Sequence, residues 1–251
     1  KKEQGLFFHC LHLEYIELKT LIIIPTLNES KNIENLIDKI NKLYRNIDIL
    51  VIDDNSIDGT LEILKEIKKR KKNLKIICRK NDKGIGSAHL CGINFAYKKK
   101  YSICITMDAD GTHNPISIKK MIKIIKYKNF DIINTNRFLD NASIQDWPLL
   151  RKAITYFRYF LVKIVLNTRY DSSGGFRCYN LNKINKSHFL LTKNKNYFFL
   201  IESLFFFEKL NYSIFEISNK LKFRSANQSK MKIYHILESL LSLLRLRFTG
   251  F

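Results

Sequence analysis

An α/β fold with a mostly parallel sheet is predicted by three features of the sequence. Short, Ile-rich runs of strand length alternate with longer amphipathic segments from about residue 20 to residue 135. Such alternation generates βαβ units, whose crossovers place helices on both faces of the sheet. The residues that close these runs are acidic or glycine-rich, and ligands of open parallel sheets bind outside the carboxyl ends of the strands.

The first strand is residues 21–24 (LIII), ended by Pro25. Ser30 is expected to cap a helix on which Ile33, Leu36, Ile37 and Ile40 share a face, with Glu34 near its positive end. Residues 47–52 form the second strand, and a polar turn leads to a helix from about Gly59 with Leu61, Leu64 and Ile67 inward. Residues 74–78 are the third strand, followed by a helix over about 86–97. The fourth strand, 102–107, precedes a helix after Pro115, where proline suits a first turn. Residues 131–135 supply the fifth strand.

The strand ends to inspect are therefore PTLNE (25–29), DDNS (53–56) and DAD (108–110). On an extended strand residues i and i+2 point the same way, so Asp108 and Asp110 are expected to converge. Two carboxylates brought together repel unless a cation lies between them, and hard oxygen donors select Mg²⁺ or Mn²⁺. An Asp-rich turn capping the next helix is the competing reading, and DxD alone does not decide. Asp53 and Asp54 can accept hydrogen bonds from a base or ribose, or form an Asx turn with Asp58 as the cap. Lys83-Gly84-Ile85-Gly86 suits an approaching phosphate at a helix start, or is a plain strand-to-helix turn. It matches neither GxGxxG nor a Walker loop, which sets aside nicotinamide and P-loop nucleotide readings.

With 251 residues, 45% of them hydrophobic, the chain can bury a sizeable core. Its net charge of +21 favours an anionic partner: a membrane surface, phosphate-rich substrates or nucleic acid. Five cysteines, odd in number and with no CxxC pair, read as reduced thiols rather than a disulfide framework. His9-Cys10-Leu11-His12 has no second ligand pair to complete a metal site. No apolar run approaches the ~20 residues of a membrane span. There is no signal-peptide pattern and no initiator Met, so the sequence is read as trimmed or incomplete.

The second half changes character. Residues 147–167 (WPLLRKAITYFRYFLVKIVLN) are aromatic, apolar and basic without one acidic residue, and residues 232–251 form a second amphipathic segment. Both read as interfacial helices, with ordinary core helices as the alternative. Between them lie the glycine turn SSGGFR (172–177) and an apolar run, 197–207, around Glu202. No linker or internal repeat interrupts the chain, so residues 1–251 are read as one domain.

The motifs IIIPTLNESKNI, VIDDNSIDGT, RKNDKGIGSAHLCGINFA, TMDADGTHNP, NTNRF, WPLLR, DSSGGFR, YFFLIE and FRSANQSKM follow in unbroken order. Together they resemble family 2 glycosyltransferases of the GT-A fold, a Rossmann-like nucleotide-diphospho-sugar transferase architecture, and within them the polyprenol-phosphate (dolichol-phosphate) mannose synthases. The resemblance implies that Pro25, Glu29, Asp53 and Asp54 hold the nucleoside, with Lys83 nearby. It implies that Asp108 and Asp110 hold a divalent metal, with Thr112 where some relatives supply a third ligand. Arg137, Arg151 and Thr155 would bind the acceptor's phosphate, and Arg224 and Lys230 would close over the donor. Gly175-Phe176-Arg177 and Glu202 match sugar-side and architectural positions. The chain departs from the family at Leu27, at Thr112 and in the SANQSK loop after Arg224.

The expected activity is an inverting, metal-dependent transfer of a hexose to polyprenyl phosphate, with mannose from GDP-mannose as the first candidate. About 20–137 would be the nucleotide-sugar half and about 138–251 the acceptor and membrane half. The enzyme would lie peripherally on the cytoplasmic face of an anionic membrane, with room for a separate membrane-anchoring partner. Competing readings are another donor (UDP-glucose or a UDP-aminosugar), a saccharide acceptor, or a basic nucleic-acid-binding protein. The last expects stacking aromatics interleaved with basic residues on one face, whereas the aromatics here lie in helix-like apolar runs.

Overall fold

The computed structural model describes residues 18–81, 83–145, 147–219 and 233–249. Its chain order is β1 (Thr20–Thr26), α1 (Ile33–Leu43), β2 (Asp48–Asp53), α2 (Thr60–Arg70), β3 (Leu74–Cys78), α3 (Ile85–Lys98), β4 (Ile103–Thr106), α4 (Ser117–Lys128) and β5 (Ile132–Asn136). A 3₁₀ turn then leads to α5 (Leu149–Leu166), β6 (Arg177–Asn180), α6 (Lys186–Phe189), α7 (Phe199–Lys209), β7 (Ile214–Ser218) and α8 (Ile233–Thr249). All five expected strands are present.

Seven strands form one sheet in the order β3-β2-β1-β4-β6-β5-β7. The sheet is parallel except for β6, which runs antiparallel between β4 and β5. Strand alternation sends Ile22, Ile24, Ile49 and Val51 to the face covered by α1, α2 and α4. It sends Leu21, Ile23, Leu50 and Ile52 to the face covered by α3, α6 and α7. A third layer lies outside α7, where Val162 and Leu166 of α5 and Leu243 and Leu246 of α8 pack on Phe198, Ile201, Phe205 and Phe206. This explains why 197–207 reads as apolar on either side of Glu202: α7 is covered from both sides.

Some local expectations are corrected. Pro25 does not end β1 but pairs with Ile52 inside it, one residue before Thr26. Ser30 does not cap α1; its N–H donates to Asp58 Oδ2 (3.0 Å), and the first amides of the helix are received by the Glu29 carbonyl. Asp58 sits one residue too early to be the cap of α2, but its carboxylate accepts from the Thr60 amide and hydroxyl, as the Asx-turn reading required.

Candidate functional site

The carboxyl ends of β1 and β2 carry a rigid acidic lining. Asp53 is fully buried, and its two oxygens accept from the amide (2.9 Å) and hydroxyl (2.5 Å) of Ser56. Glu29 is buried as well, accepting from Asn32 Nδ2 at 2.7 Å while its amide donates to Thr60 Oγ1. Asp54 is held in a tight pair with Arg79, whose Nε donates to Oδ1 at 2.7 Å, and its Oδ2 accepts from the Gly84 amide at 2.9 Å. Asp54 therefore ties Arg79 to Gly84, beside which Lys83 is exposed.

The glycines after Lys83 do not form a phosphate cradle. The Lys195 carbonyl accepts from the amides of Gly86 (2.8 Å) and Ser87 (3.2 Å), so the start of α3 is already occupied by protein. A Cβ on Gly84 would lie 2.5 Å from that carbonyl oxygen, and one on Gly86 would lie 2.6 Å from Phe199 Cβ. Gly84 also adopts φ +129°, which L side chains rarely tolerate. Glu202 explains why the carbonyl stands there. Its Oε2 accepts from the amides of Lys193 (3.0 Å) and Asn194 (2.9 Å), which holds the loop against α3. Burial raises the Glu202 pKa despite the lowering effect of those two amides.

Strand β4 stops at Thr106, so Asp108 and Asp110 lie in the following turn and strand alternation is not what aligns them. Neither caps α4, whose first residues follow Asn114 and Ile116. Asp110 Oδ1 accepts from the amide (2.9 Å) and hydroxyl (2.7 Å) of Thr112, so Thr112 orients that carboxylate. His113 was not anticipated from sequence. Its Nδ1 accepts from the Asp108 amide at 3.0 Å, which leaves the proton on Nε2, 3.7 Å from Asp108 Oδ2. Its ring stacks on Phe176 with centroids 5.0 Å apart. The Asp108 side chain keeps 35% of its surface open.

The 171–177 turn faces Asp108 because β6 is inserted antiparallel beside β4. The hydroxyls of Thr106 and Thr135 donate to the carbonyls of Gly175 (2.6 Å) and Phe176 (2.9 Å) and fix the turn across the strand ends. A Cβ on Gly175 would lie 3.1 Å from Asp108 Oδ1, and one on Gly174 would lie 3.6 Å from Arg137 Nη2. Two adjacent glycines thus separate a half-open carboxylate from a guanidinium. Arg137 Nε donates to the buried Asp171 at 3.1 Å. Burial would raise the Asp171 pKa, but Arg137 and the Ser173 hydrogen bonds outweigh it and hold it below the usual range. Glu216 supports the pair from β7, accepting from Asn134, Asn136 and the Asp171 amide. Arg177 is fully buried and donates to Asn134, Ser203 and the carbonyls of Ser172 and Leu200, an architectural role.

Helix α5 carries Arg151, exposed and 4.2 Å over the Trp147 ring, and the buried Thr155. Arg158 lies one further turn along the same face and was also missed by sequence reading, because it is one of four basic residues in a segment with no acidic partner to single it out. Arg224 and Lys230 lie outside the described residues.

A divalent cation fits the donor set at the end of β4. Asp108 and Asp110 offer hard oxygens, and the absent side chain of Gly175 leaves a hollow beside Asp108 Oδ1. Among the described residues no group of three His, Cys, Asp or Glu side chains converges, so water and substrate oxygens would complete the shell.

The sequence pattern of glycosyl transferase family 2 matches residues 21–197. The polyprenol monophosphomannose synthase of Mycolicibacterium smegmatis is 27% identical over 228 residues, covering 88% of this chain and 84% of that protein. The undecaprenyl-phosphate mannosyltransferase of Micrococcus luteus is 25% identical, covering 85% and 88%. The dolichol-phosphate mannosyltransferase of Pyrococcus furiosus is 34% identical over 151 residues, 59% of this chain and 42% of that protein. In fold, the chain is similar to glucosyl-3-phosphoglycerate synthase of Mycobacterium tuberculosis, solved with Mn²⁺, UDP and phosphoglyceric acid. That match has a TM-score of 0.63 at 16% identity, covering 92% of this chain and 78% of that one. This chain is a GT-A-fold enzyme that belongs to glycosyl transferase family 2.

Proposed function

We propose that this enzyme transfers a hexose, with mannose from GDP-mannose as the first donor to test, to polyprenyl phosphate at a membrane surface. The observation that carries the reading is the Gly174-Gly175 turn, in which Gly175 faces Asp108 and the neighbouring Gly174 faces Arg137. A donor diphosphate on a cation at Asp108 and Asp110 would then neighbour an acceptor phosphate on Arg137. The relatives named above, which act on lipid phosphates by their names, support the same acceptor class.

The acceptor phosphate is already anionic near neutral pH, since its second pKa is about 6. It needs no general base. An acceptor oxygen bonds to the anomeric carbon as the carbon–oxygen bond to the nucleoside diphosphate breaks, which inverts the configuration. A bound Mg²⁺ or Mn²⁺ would supply charge stabilisation for the departing diphosphate. Thr112 and His113 would hold the two aspartates in place, while Arg137, Arg151 and Thr155 would bind and orient the acceptor. Pro25, Glu29 and Asp53 line the strand ends where the nucleoside would lie, with Lys83 at the rim. Asp54 acts by fixing that rim. In this reading residues of about 20–137 would mainly serve the donor and about 138–251 mainly the acceptor, with Arg137 at the boundary on the acceptor side.

The same reading seats the enzyme peripherally on the cytoplasmic face of an anionic membrane, and the third layer supports the membrane part of it. No helix among the described residues is long and apolar enough to cross a membrane. Yet α5 exposes Leu150, Ile154, Phe157 and Ile164 at helical spacing, the last 78% open. This stripe lies roughly 100° around the helix from Arg151.

The test is incubation of purified protein with a panel of labelled sugar nucleotides, Mn²⁺ or Mg²⁺, and undecaprenyl phosphate in detergent. Label passing from GDP-mannose into the organic phase, lost on addition of EDTA, is the expected result. Transfer from another nucleotide sugar would replace the donor. Transfer to a free saccharide and never to lipid phosphate would sink the reading.

A further inference from the structure

We infer that Arg158 is a third phosphate-binding cation of the acceptor site, completing with Arg137 and Arg151 a guanidinium set for the phosphate of a prenyl phosphate. This rests on the proposed acceptor class and deepens it.

Residues 151, 155 and 158 are four and three apart on α5, so Arg151, Thr155 and Arg158 lie on one side of the helix. The segment after β5 meets the helix at this level. The Phe138 ring, next to Arg137, packs on Tyr156 (centroids 5.2 Å) and Tyr159 (4.1 Å). Arg158 and Arg137 interact electrostatically with each other and with the same Asp171. Asp171 is committed to Arg137 by direct contact, and among the described residues Arg158 makes no ion pair of its own. With Glu216 and the buried Arg177 in the same network, three guanidiniums face two carboxylates, which leaves a surplus positive charge in a partly buried place.

Such a surplus is costly unless an anion arrives to share it. Burial and the neighbouring Arg137 cation push the Arg158 pKa down to about 10, with Asp171 opposing, so the side chain remains cationic at neutral pH. A monoester phosphate has three non-bridging oxygens and up to two charges, which suits several guanidinium forks better than one. The position also suits a lipid-linked phosphate. The arginines lie where the exposed apolar stripe of α5 meets its buried face, and the turn beside Arg137 runs from Gly174, which faces Arg137, to Gly175, which faces Asp108. A phosphate held there would place its chain along the stripe and its oxygens towards the donor.

The experiment measures binding of farnesyl phosphate to the full chain by calorimetry, with farnesol and inorganic phosphate as parallel probes. Arg158→Met is compared with Arg158→Lys, and nucleotide-sugar affinity is measured on each. The expected result is that wild type binds farnesyl phosphate, and that Arg158→Met weakens it about 10- to 100-fold. Arg158→Lys should recover part of the loss, and nucleotide-sugar affinity should stay within about twofold in both variants. If Arg158 only balances Asp171, Arg158→Met lowers the melting temperature but leaves farnesyl phosphate binding unchanged, which overturns the inference and leaves the proposed function standing. Should Arg158→Met fail to fold, full wild-type affinity of a folded Arg158→Gln overturns it equally. Failure of wild type to bind farnesyl phosphate at all sinks the acceptor reading, and this inference with it.

Discussion

Asp108 and Asp110 differ in their surroundings although they stand two residues apart. Asp110 is tied to Thr112, whereas Asp108 is half-open and braced from behind by His113. Asp108→Asn or Asp110→Asn should therefore lower kcat by about 100- to 1000-fold with little loss of stability. A metal titration of transfer rate beside a melting curve checks this, and a variant retaining half its activity would refute the metal assignment. His89 makes the opposite point, because its chemistry is structural. It is buried against Phe199, with ring centroids 5.5 Å apart, and its Nε2 has no hydrogen-bond partner among the described residues. Burial first, then Arg177 and His113, lower its pKa to about 3. The unfolded chain takes up a proton below about pH 6.5, while the folded protein does not until about pH 3. The neutral imidazole's contribution is thus present in full above 6.5 and lost as pH falls, at about 1.4 kcal/mol per unit. His89→Leu should flatten that decline in urea-unfolding series between pH 7 and pH 4. Parallel pH curves for variant and wild type would contradict it.

Element by element, legibility followed the strength of local patterning. Strands β1 to β5 could be read because each is a run of β-branched residues beside a periodic helix. Strand β6 could not, because RCYN has neither alternation nor an apolar run, and its pairing with β4 is set by the Thr106 and Thr135 contacts to the preceding turn. Strand β7 (IFEIS) was hidden by Glu216, a charged residue that turns towards Asn134 and Asn136 instead of solvent. Among site residues, Asp108 was legible by type and place, whereas His113 and Arg158 acquire meaning only from what folds beside them. Of the two readings of the Gly84–Gly86 turn, the plain strand-to-helix turn holds: glycine marks close approach, and here the approaching atom is the Lys195 carbonyl oxygen. Gly86→Ala should accordingly destabilise the fold by about 1–3 kcal/mol through overpacking against α7. Chemical denaturation checks this, and wild-type stability would show that the loop yields freely.

At the scale of the whole molecule, charge and apolar surface cooperate. The net charge of +21 is spread over the chain, while the apolar stripes are confined to the outer layer, on α5 and at Leu241, Leu244 and Phe248 of α8. Long-range attraction to anionic lipid is screened by salt, with a Debye length near 10 Å at 0.1 M that shrinks to about 3 Å at 1 M. Burial of apolar side chains in the interface is not weakened by salt in this way. Two separable contributions to membrane binding are therefore expected. In flotation assays, raising NaCl from about 0.05 M to about 0.5 M should release most protein from phosphatidylglycerol vesicles, each near-surface cation contributing about 1 kcal/mol. A salt-resistant remainder should persist and should vanish in a Phe157→Glu, Ile164→Glu double variant. That variant should still transfer sugar to a short, water-soluble prenyl phosphate, because neither side chain lies on the Arg151–Arg158 side of α5. Salt-independent binding, or a double variant that floats like wild type, would mean that the third layer faces something other than lipid.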